Sequence, residues 1–105
     1  MRNTVVTPRF KKDLKLLVKT NKFKKYADKL EDYINKLCTN EPLPPAAADK
    51  PMAKHSEREY QGCREFHAAP DTVVIYRLTD TEVYLIRIGQ HNNLKLVEIF
   101  KEKDF

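Results

Sequence analysis

Two kinds of apolar pattern run along the chain, and the change from one to the other falls near its middle. Arg2 to Thr7 holds a β-prone run, Thr4-Val5-Val6-Thr7, that stops at Pro8, which predicts a first strand. Thr7 followed by Pro8 is also a helix start: a capping hydroxyl, then a residue with fixed φ and no N–H to satisfy. Beyond it Phe10, Leu14, Leu17 and Val18 recur at helical spacing, with Lys11, Lys12, Lys15 and Lys19 on the remaining faces. After Thr20-Asn21 a second stripe of Tyr26, Leu30, Tyr33, Ile34 and Leu37 predicts another amphipathic helix. The two form an antiparallel hairpin in this reading, and neither can bury its stripe without a sheet to pack on.

From Glu41 to Pro51 four prolines forbid a regular helix or a central strand, so an extended linker is expected, continued by polar Lys54 to Glu59. The pattern then turns to strands. Tyr60 to His67 reads as one, Ala68 to Asp71 as a turn, Thr72 to Leu78 as the next strand. Thr79 to Thr81 makes a second turn, and Glu82 to Ile88 a strand closed by Gly89. Such short links favour an antiparallel meander. The runs Val73–Tyr76 and Val83–Ile86 alternate little, as central strands covered on both faces do. The tail from Leu94 to Phe100 fits an edge strand or a short helix equally well. The fold class expected is α+β: an N-terminal strand and a two-helix hairpin on a small, mainly antiparallel sheet, as one domain over residues 1–105.

Composition adds exclusions. Of 105 residues 33% are charged and 41% hydrophobic, which suits a folded globular chain rather than a disordered one. No apolar stretch approaches the roughly 20 residues of a membrane helix, and Met1 to Thr7 lacks a signal-peptide core. The expected location is the cytoplasm, with no membrane partner. Cys38 and Cys63 are too few and too far apart for a metal or redox motif, so both read as free thiols. The net charge of +5 is unevenly placed: eleven Lys/Arg against four Asp/Glu up to Asn40, then nine against eleven. A basic half of this kind is the footprint of a phosphate-rich or an acidic protein partner, or simply of a solvated helix surface.

The candidate chemistry sits in two short runs. In Cys63-Arg64-Glu65-Phe66-His67, alternation puts Cys63, Glu65 and His67 on one face, with Asp71 just past the turn. In Arg87-Ile88-Gly89-Gln90-His91, Arg87 shares a face with Val83 and Leu85 and needs an anionic partner there. Glu65 or Asp71 could be that partner, in which case the pair would do no more than fix strand register. The alternative is a site of two imidazoles, a guanidinium and carboxylates. A histidine can take a proton from an attacking hydroxyl and return one to a leaving oxygen near neutral pH. Arginine can stabilise the charge that builds on a phosphate. With RNA as substrate the 2′-hydroxyl is itself a nucleophile, so no metal is required. No carboxylate cluster for magnesium, zinc spacing, Ser or Cys nucleophile motif or phosphate-cradling Gly-rich loop is present.

Gly62-Cys63-Arg64-Glu65-Phe66-His67, Pro70-Asp71, Ile75-Tyr76-Arg77 and Arg87-Ile88-Gly89-Gln90-His91-Asn92-Asn93-Leu94 together resemble the C-terminal half of YafQ-like toxins of the RelE/ParE superfamily. In that family a strand ends in R-E/D-x-H, a P-D turn and an I/V-Y strand follow, and R-x-G-x-H-x-x-L closes. The resemblance implies a RelE-like fold and a toxin of a type II toxin–antitoxin system. It implies an endoribonuclease, an mRNA interferase without a cofactor, that cuts message on the 70S ribosome. A cognate DinJ/RelB-like antitoxin is implied as partner, with the toxin itself monomeric outside that complex. By position, His91 resembles the principal general acid or base, His67 and Asp71 the second catalytic pair. Glu65 and Arg87 resemble the charged residues that orient substrate and stabilise the scissile phosphate. Arg64 falls within the same motif, as a substrate contact, and the Lys-rich helices resemble surfaces that meet ribosomal RNA.

The chain departs from the pattern twice. Where relatives often carry D-H-x-L-x-G it has Asp49-Lys50-Pro51-Met52, so Lys50 would supply charge but not ready proton transfer. His55, in the polar insert that follows, either substitutes for that histidine or is a solvated loop residue. Where relatives place an aromatic after the Leu, Lys95 stands here, and Phe100 is the next residue able to stack on a base. The alternatives on the same fold are a ribosome- or RNA-binding module without nuclease activity and a gyrase-directed toxin of the ParE kind.

Overall fold

The computed structural model describes residues 1–19, 23–52, 62–69 and 72–90. Strand β1 (Asn3–Val6) leads into helix α1 (Pro8–Val18), and helix α2 (Phe23–Cys38) follows. A single 3-10 turn at Pro45–Ala47 precedes the two-residue strand β2 (Lys50–Pro51), and then come β3 (Arg64–Ala69), β4 (Thr72–Leu78) and β5 (Glu82–Gln90). One five-stranded sheet has the order β1-β5-β4-β3-β2. Strands β2 to β5 pair antiparallel, while β1 lies parallel to β5 with Asn3 opposite Glu82 and Val6 opposite Leu85. The α+β class, the N-terminal strand and the mainly antiparallel sheet are therefore as the sequence indicates.

Local chemistry explains the entry into α1. The Thr7 hydroxyl accepts from the Phe10 N–H at 3.2 Å, an N-cap, and Pro8 occupies the first turn where no N–H is needed. The buried face of α1 is Phe10, Asp13 and Leu17, whereas Val18, expected on the stripe, is half exposed to solvent. A carboxylate takes the place that hydrophobic periodicity alone would leave to an apolar residue. In α2, Leu30, Tyr33 and Leu37 are buried, as the stripe predicts.

Both helices cover one face of the sheet. Their stripes close a core over Phe66, Val74, Tyr76, Val83, Leu85 and Ile88. The Phe66 ring is fully buried between Tyr33 and Tyr76, with centroids at 5.7 and 5.6 Å. On the other face Cys63 and Ile75 are buried under Met52 and Ile86. Strand β4 is thus enclosed on both sides, and the lack of alternation in Val73–Tyr76 follows from that.

Boundaries moved in four places. The strand expected from Tyr60 starts only at Arg64, with Gly62 and Cys63 before it and residues 53–61 outside the described ones. Strand β3 runs on to Ala69, through the first half of the expected turn, and does so past a register shift between His67 and Ala69. Strand β5 continues beyond Gly89 to Gln90. The proline-rich linker also contributes to the sheet: Lys50 pairs with Glu65, and Met52 donates its N–H to the Cys63 carbonyl at 3.0 Å. Pro51 is tolerated because β2 is an edge strand. The helix–helix link at 20–22, the turn at 70–71 and the tail from 91 onward lie outside the described residues.

Candidate functional site

Cross-strand register brings the two chemical motifs to one end of the sheet. Lys50, Glu65, Ile75 and Arg87 are successive Cα partners across β2, β3, β4 and β5. One row further along, His67 faces Val73, and Val73 faces Gly89. In the last row Ala69 faces Thr72, and Thr72 faces Gln90. With strands about 4.8 Å apart, His67 on β3 is only about 10 Å from the last residues of β5. His91 follows Gln90 directly and Asp71 precedes Thr72 directly, so both belong by chain position to this end of the sheet. Their own placement, with that of His55, Lys95 and Phe100, lies outside the described residues.

The side chains that the structure does describe divide between the two faces. Glu65 is half-buried, and its carboxylate lies 3.6 Å from the Lys50 Nζ. Lys50 is largely exposed, at 63% of its side-chain surface, so this pair is a surface contact rather than an internal lock. His67 is half-buried and lines a cleft of about 310 Å³ with Lys29, Tyr33, Ala46, Ala48 and Ala69. The cleft runs between α2, the 3-10 turn and the end of β3. Apolar walls with an imidazole and an ammonium at the rim make a site for a flat or anionic group rather than for a metal. Among the described residues no group of three His, Cys, Asp or Glu could hold a metal ion.

Arg64, expected beside them, points elsewhere. Alternation along β3 puts it on the Phe66 side, where its Nη2 donates to Asp49 at 3.2 Å and its Nε meets the Tyr76 hydroxyl at 3.3 Å. Tyr76 in turn donates to the Asp49 carboxylate. Burial, reinforced by that acceptor, raises the Tyr76 phenol well above its ordinary range, and the Asp49 hydrogen bond likewise raises Arg64. The three residues line a separate cavity of about 300 Å³ with Arg2, Asn40 and Glu41. Their work is to fasten the proline-rich segment, and with it Lys50, to the centre of the sheet.

Arg87 pairs with a carboxylate that the strand pattern does not point to. It is 3% exposed, and its Nε and Nη2 donate to the two oxygens of Asp13 at 2.7 and 3.0 Å. Asp13 accepts a third bond from the Ile88 N–H at 3.2 Å. Glu65 is paired with Lys50, and among the described residues the counter-ion of Arg87 comes from α1; Asp71, the other candidate, lies outside them. The signal was present in the sequence: Asp13 lies on the same helical stripe as Phe10 and Leu17, where a lone carboxylate requires a buried cation. Cys38 and Cys63 are both free and buried, and burial raises the Cys63 thiol against the opposing pull of Arg77.

The basic half of the chain is at the surface. Lys11, Lys12, Lys15 and Lys19 of the α1 region are exposed, as are Lys24, Lys25 and Lys29 of α2. No helix among the described residues is long and apolar enough to cross a membrane.

Comparison with known proteins agrees with this geometry. Residues 2–96 match the family described as the bacterial toxin of the type II toxin–antitoxin system, YafQ. The mRNA interferase toxin YafQ of Escherichia coli strain B / BL21-DE3 is 35% identical over 83 residues, covering 78% of this chain and 83% of that protein. The crystal structure of YafQ from E. coli strain BL21(DE3) superposes with a TM-score of 0.70 at 32% identity, covering 90% of this chain and 98% of the other. A chain of the E. coli DinJ–YafQ toxin–antitoxin complex superposes with a TM-score of 0.68 at 33% identity, over 89% and 96% of the two chains.

Proposed function

The chain belongs to the YafQ family of toxins of type II toxin–antitoxin systems, and on that basis we propose that it is an mRNA interferase, an endoribonuclease that cuts message on the ribosome. The observation that supports the reading is the register of β3, β4 and β5, which sets the His67 end of β3 two strands from Gln90, the residue that precedes His91 in sequence.

The reaction is cleavage at a phosphodiester by the neighbouring 2′-hydroxyl. One histidine takes the proton of that hydroxyl as its oxygen bonds to phosphorus. The bond from phosphorus to the 5′-oxygen breaks, and the leaving oxygen receives a proton from the second group. The products are a 2′,3′-cyclic phosphate and a free 5′-hydroxyl, and no metal enters the balance. His91 is the principal acid or base, and His67 with Asp71 forms the second pair. Glu65, two residues before His67 on β3, orients the substrate, while Lys50 offers charge to the RNA backbone. His55, Lys95 and Phe100 are candidate substrate contacts. The exposed lysines of α1 and α2 meet RNA phosphates, an interaction that weakens as salt rises. A DinJ-like antitoxin silences the toxin in the cytoplasm, where its substrate is found.

The test is cleavage of a ribosome-bound message, with primer extension to map the ends. Wild type is expected to cut with magnesium present at the level that keeps ribosomes assembled and no other divalent metal added. His91→Ala should lose about 10²–10⁴-fold in rate while still binding the ribosome. An intact message with wild type, or equal cutting by His91→Ala, would overturn the assignment.

A further inference from the structure

The structure contains a buried device that the nuclease reading does not use. Strand β1 covers β5 only as far as Leu85, where the Thr7 N–H donates to the Leu85 carbonyl at 3.2 Å. At Pro8 the chain turns into α1, and a proline cannot continue the ladder. From Ile86 to Gln90 the β1 side of β5 has no strand beside it among the described residues. Unpaired edge groups inside a protein need other partners. Side chains around the start of α1 supply them: the Thr7 hydroxyl reaches the Leu85 and Ile86 carbonyls at 2.9 and 3.1 Å, and Asp13 takes the Ile88 N–H.

We propose that Asp13 is a positioning residue for catalysis, clamping the free end of β5 through Arg87 and the Ile88 N–H and so fixing the strand end from which the His91 motif continues in sequence. This rests on the nuclease reading, in which His91 carries the proton transfer. Three bonds converge on one carboxylate, two from the Arg87 fork and one from the backbone immediately after it. The clamp lies three residues before His91, and strand β5 ends one residue before it. Arg87 then acts through Asp13 on the strand, and the guanidinium that family resemblance sets on the scissile phosphate is committed to the protein interior.

The decisive variant is Asp13→Leu combined with Arg87→Met, because exchanging a buried ion pair for apolar side chains is often neutral for folding. It should unfold cooperatively like wild type. The Ile88 amide should exchange with solvent at least about tenfold faster, while Val83 and Leu85 on the β1-covered half keep their rates. Turnover on ribosome-bound message should fall about 10²-fold, the cost of a displacement near 1 Å, with KM within about threefold. Asp13→Asn and Arg87→Met alone should lose turnover to a similar degree, and the double variant no more than either.

Unchanged exchange at Ile88, or exchange that rises while turnover stays, would overturn the proposal. So would Asp13→Asn keeping full turnover while Arg87→Met loses it, since that pattern places the guanidinium on the substrate. An inactive wild type would refute the nuclease reading instead. The exchange measurement needs no activity and reports on the clamp separately.

Discussion

The Tyr76 hydroxyl and the Asp49 carboxylate, 27 residues apart, are hydrogen-bonded across the boundary between the central strand and the proline-rich segment. Arg64 closes the triangle. Tyr76→Phe removes the donor but keeps the ring against Phe66, so the loss should be about 1–2 kcal/mol by urea unfolding at neutral pH.

The same phenol sets a pH dependence. Burial first, then the Asp49 bond, hold its proton more tightly in the folded chain than in the unfolded one. Above about pH 10 the unfolded chain therefore binds fewer protons, and stability falls as pH rises, by at most about 1.4 kcal/mol per unit for this one group. Below pH 10 the contribution is complete. Urea titrations of wild type between pH 9 and 11 should show that decline, and Tyr76→Phe a shallower one; equal slopes would remove Tyr76 as its source.

Lys50 gives a prediction about chemistry. Its bond to Glu65 is long and its side chain exposed, so Lys50→Met should alter stability by less than about 0.5 kcal/mol. Lys50→His restores the residue that relatives carry and adds a group able to transfer protons near pH 7. Turnover should rise about tenfold or more relative to Lys50→Met. Equal rates for the two variants would exclude the β2 position from the proton path.

Thr7 serves two elements at once, capping α1 and donating to β5 carbonyls. Thr7→Val keeps the shape without the hydroxyl and should cost about 1–2 kcal/mol, whereas Thr7→Ser should cost well under half of that. Thermal unfolding of the pair separates the hydroxyl from the methyl.

Phe66 lies between Glu65 and His67 in sequence but faces the other way, into the core. Phe66→Ala should cost about 3–5 kcal/mol, and Phe66→Leu much less. At a temperature where Phe66→Leu is folded its turnover should stay within about threefold of wild type. A larger drop would show that packing behind β3 tunes the His67 side.

The elements were legible wherever period and punctuation agreed. Thr7-Pro8 marked the start of α1 to the residue, and the unbroken apolar run of β4 announced a strand covered on both faces; in β5 the same expectation fails, since Val83 and Leu85 are buried while Tyr84 and Ile86 are only half-buried. Legibility ended where a tertiary contact overrode a local rule. Val18 fits the helical stripe, yet the stripe turns toward Asp13 because Arg87 needs a counter-ion in that place. Ala68 reads as turn, yet small side chains suit a strand passing under the 3-10 turn. Lys50-Pro51 reads as linker, since one short edge pairing leaves no periodic trace. At the site, alternation separates Glu65, which meets Lys50, from the buried Phe66, whereas His67 lines a cleft with Tyr33 next to a register shift in β3. The same alternation assigns Arg64 to the far face, which motif position alone obscured.

The parallel pairing of β1 with β5 also bears on how the molecule comes into being. Arg2 bonds to the Thr79 carbonyl 77 residues away, and Asn3 and Val6 sit opposite Glu82 and Leu85. A contact that spans most of the chain forms late, because a long loop must close before it is rewarded. During synthesis the first strand has no partner until the last one has left the ribosomal exit tunnel. The helices and the β3–β4 hairpin can form earlier, but the edge that α1 must clamp does not yet exist. That edge of the sheet is therefore completed only after most of the described chain has been made, and it is among the last parts of the molecule to form.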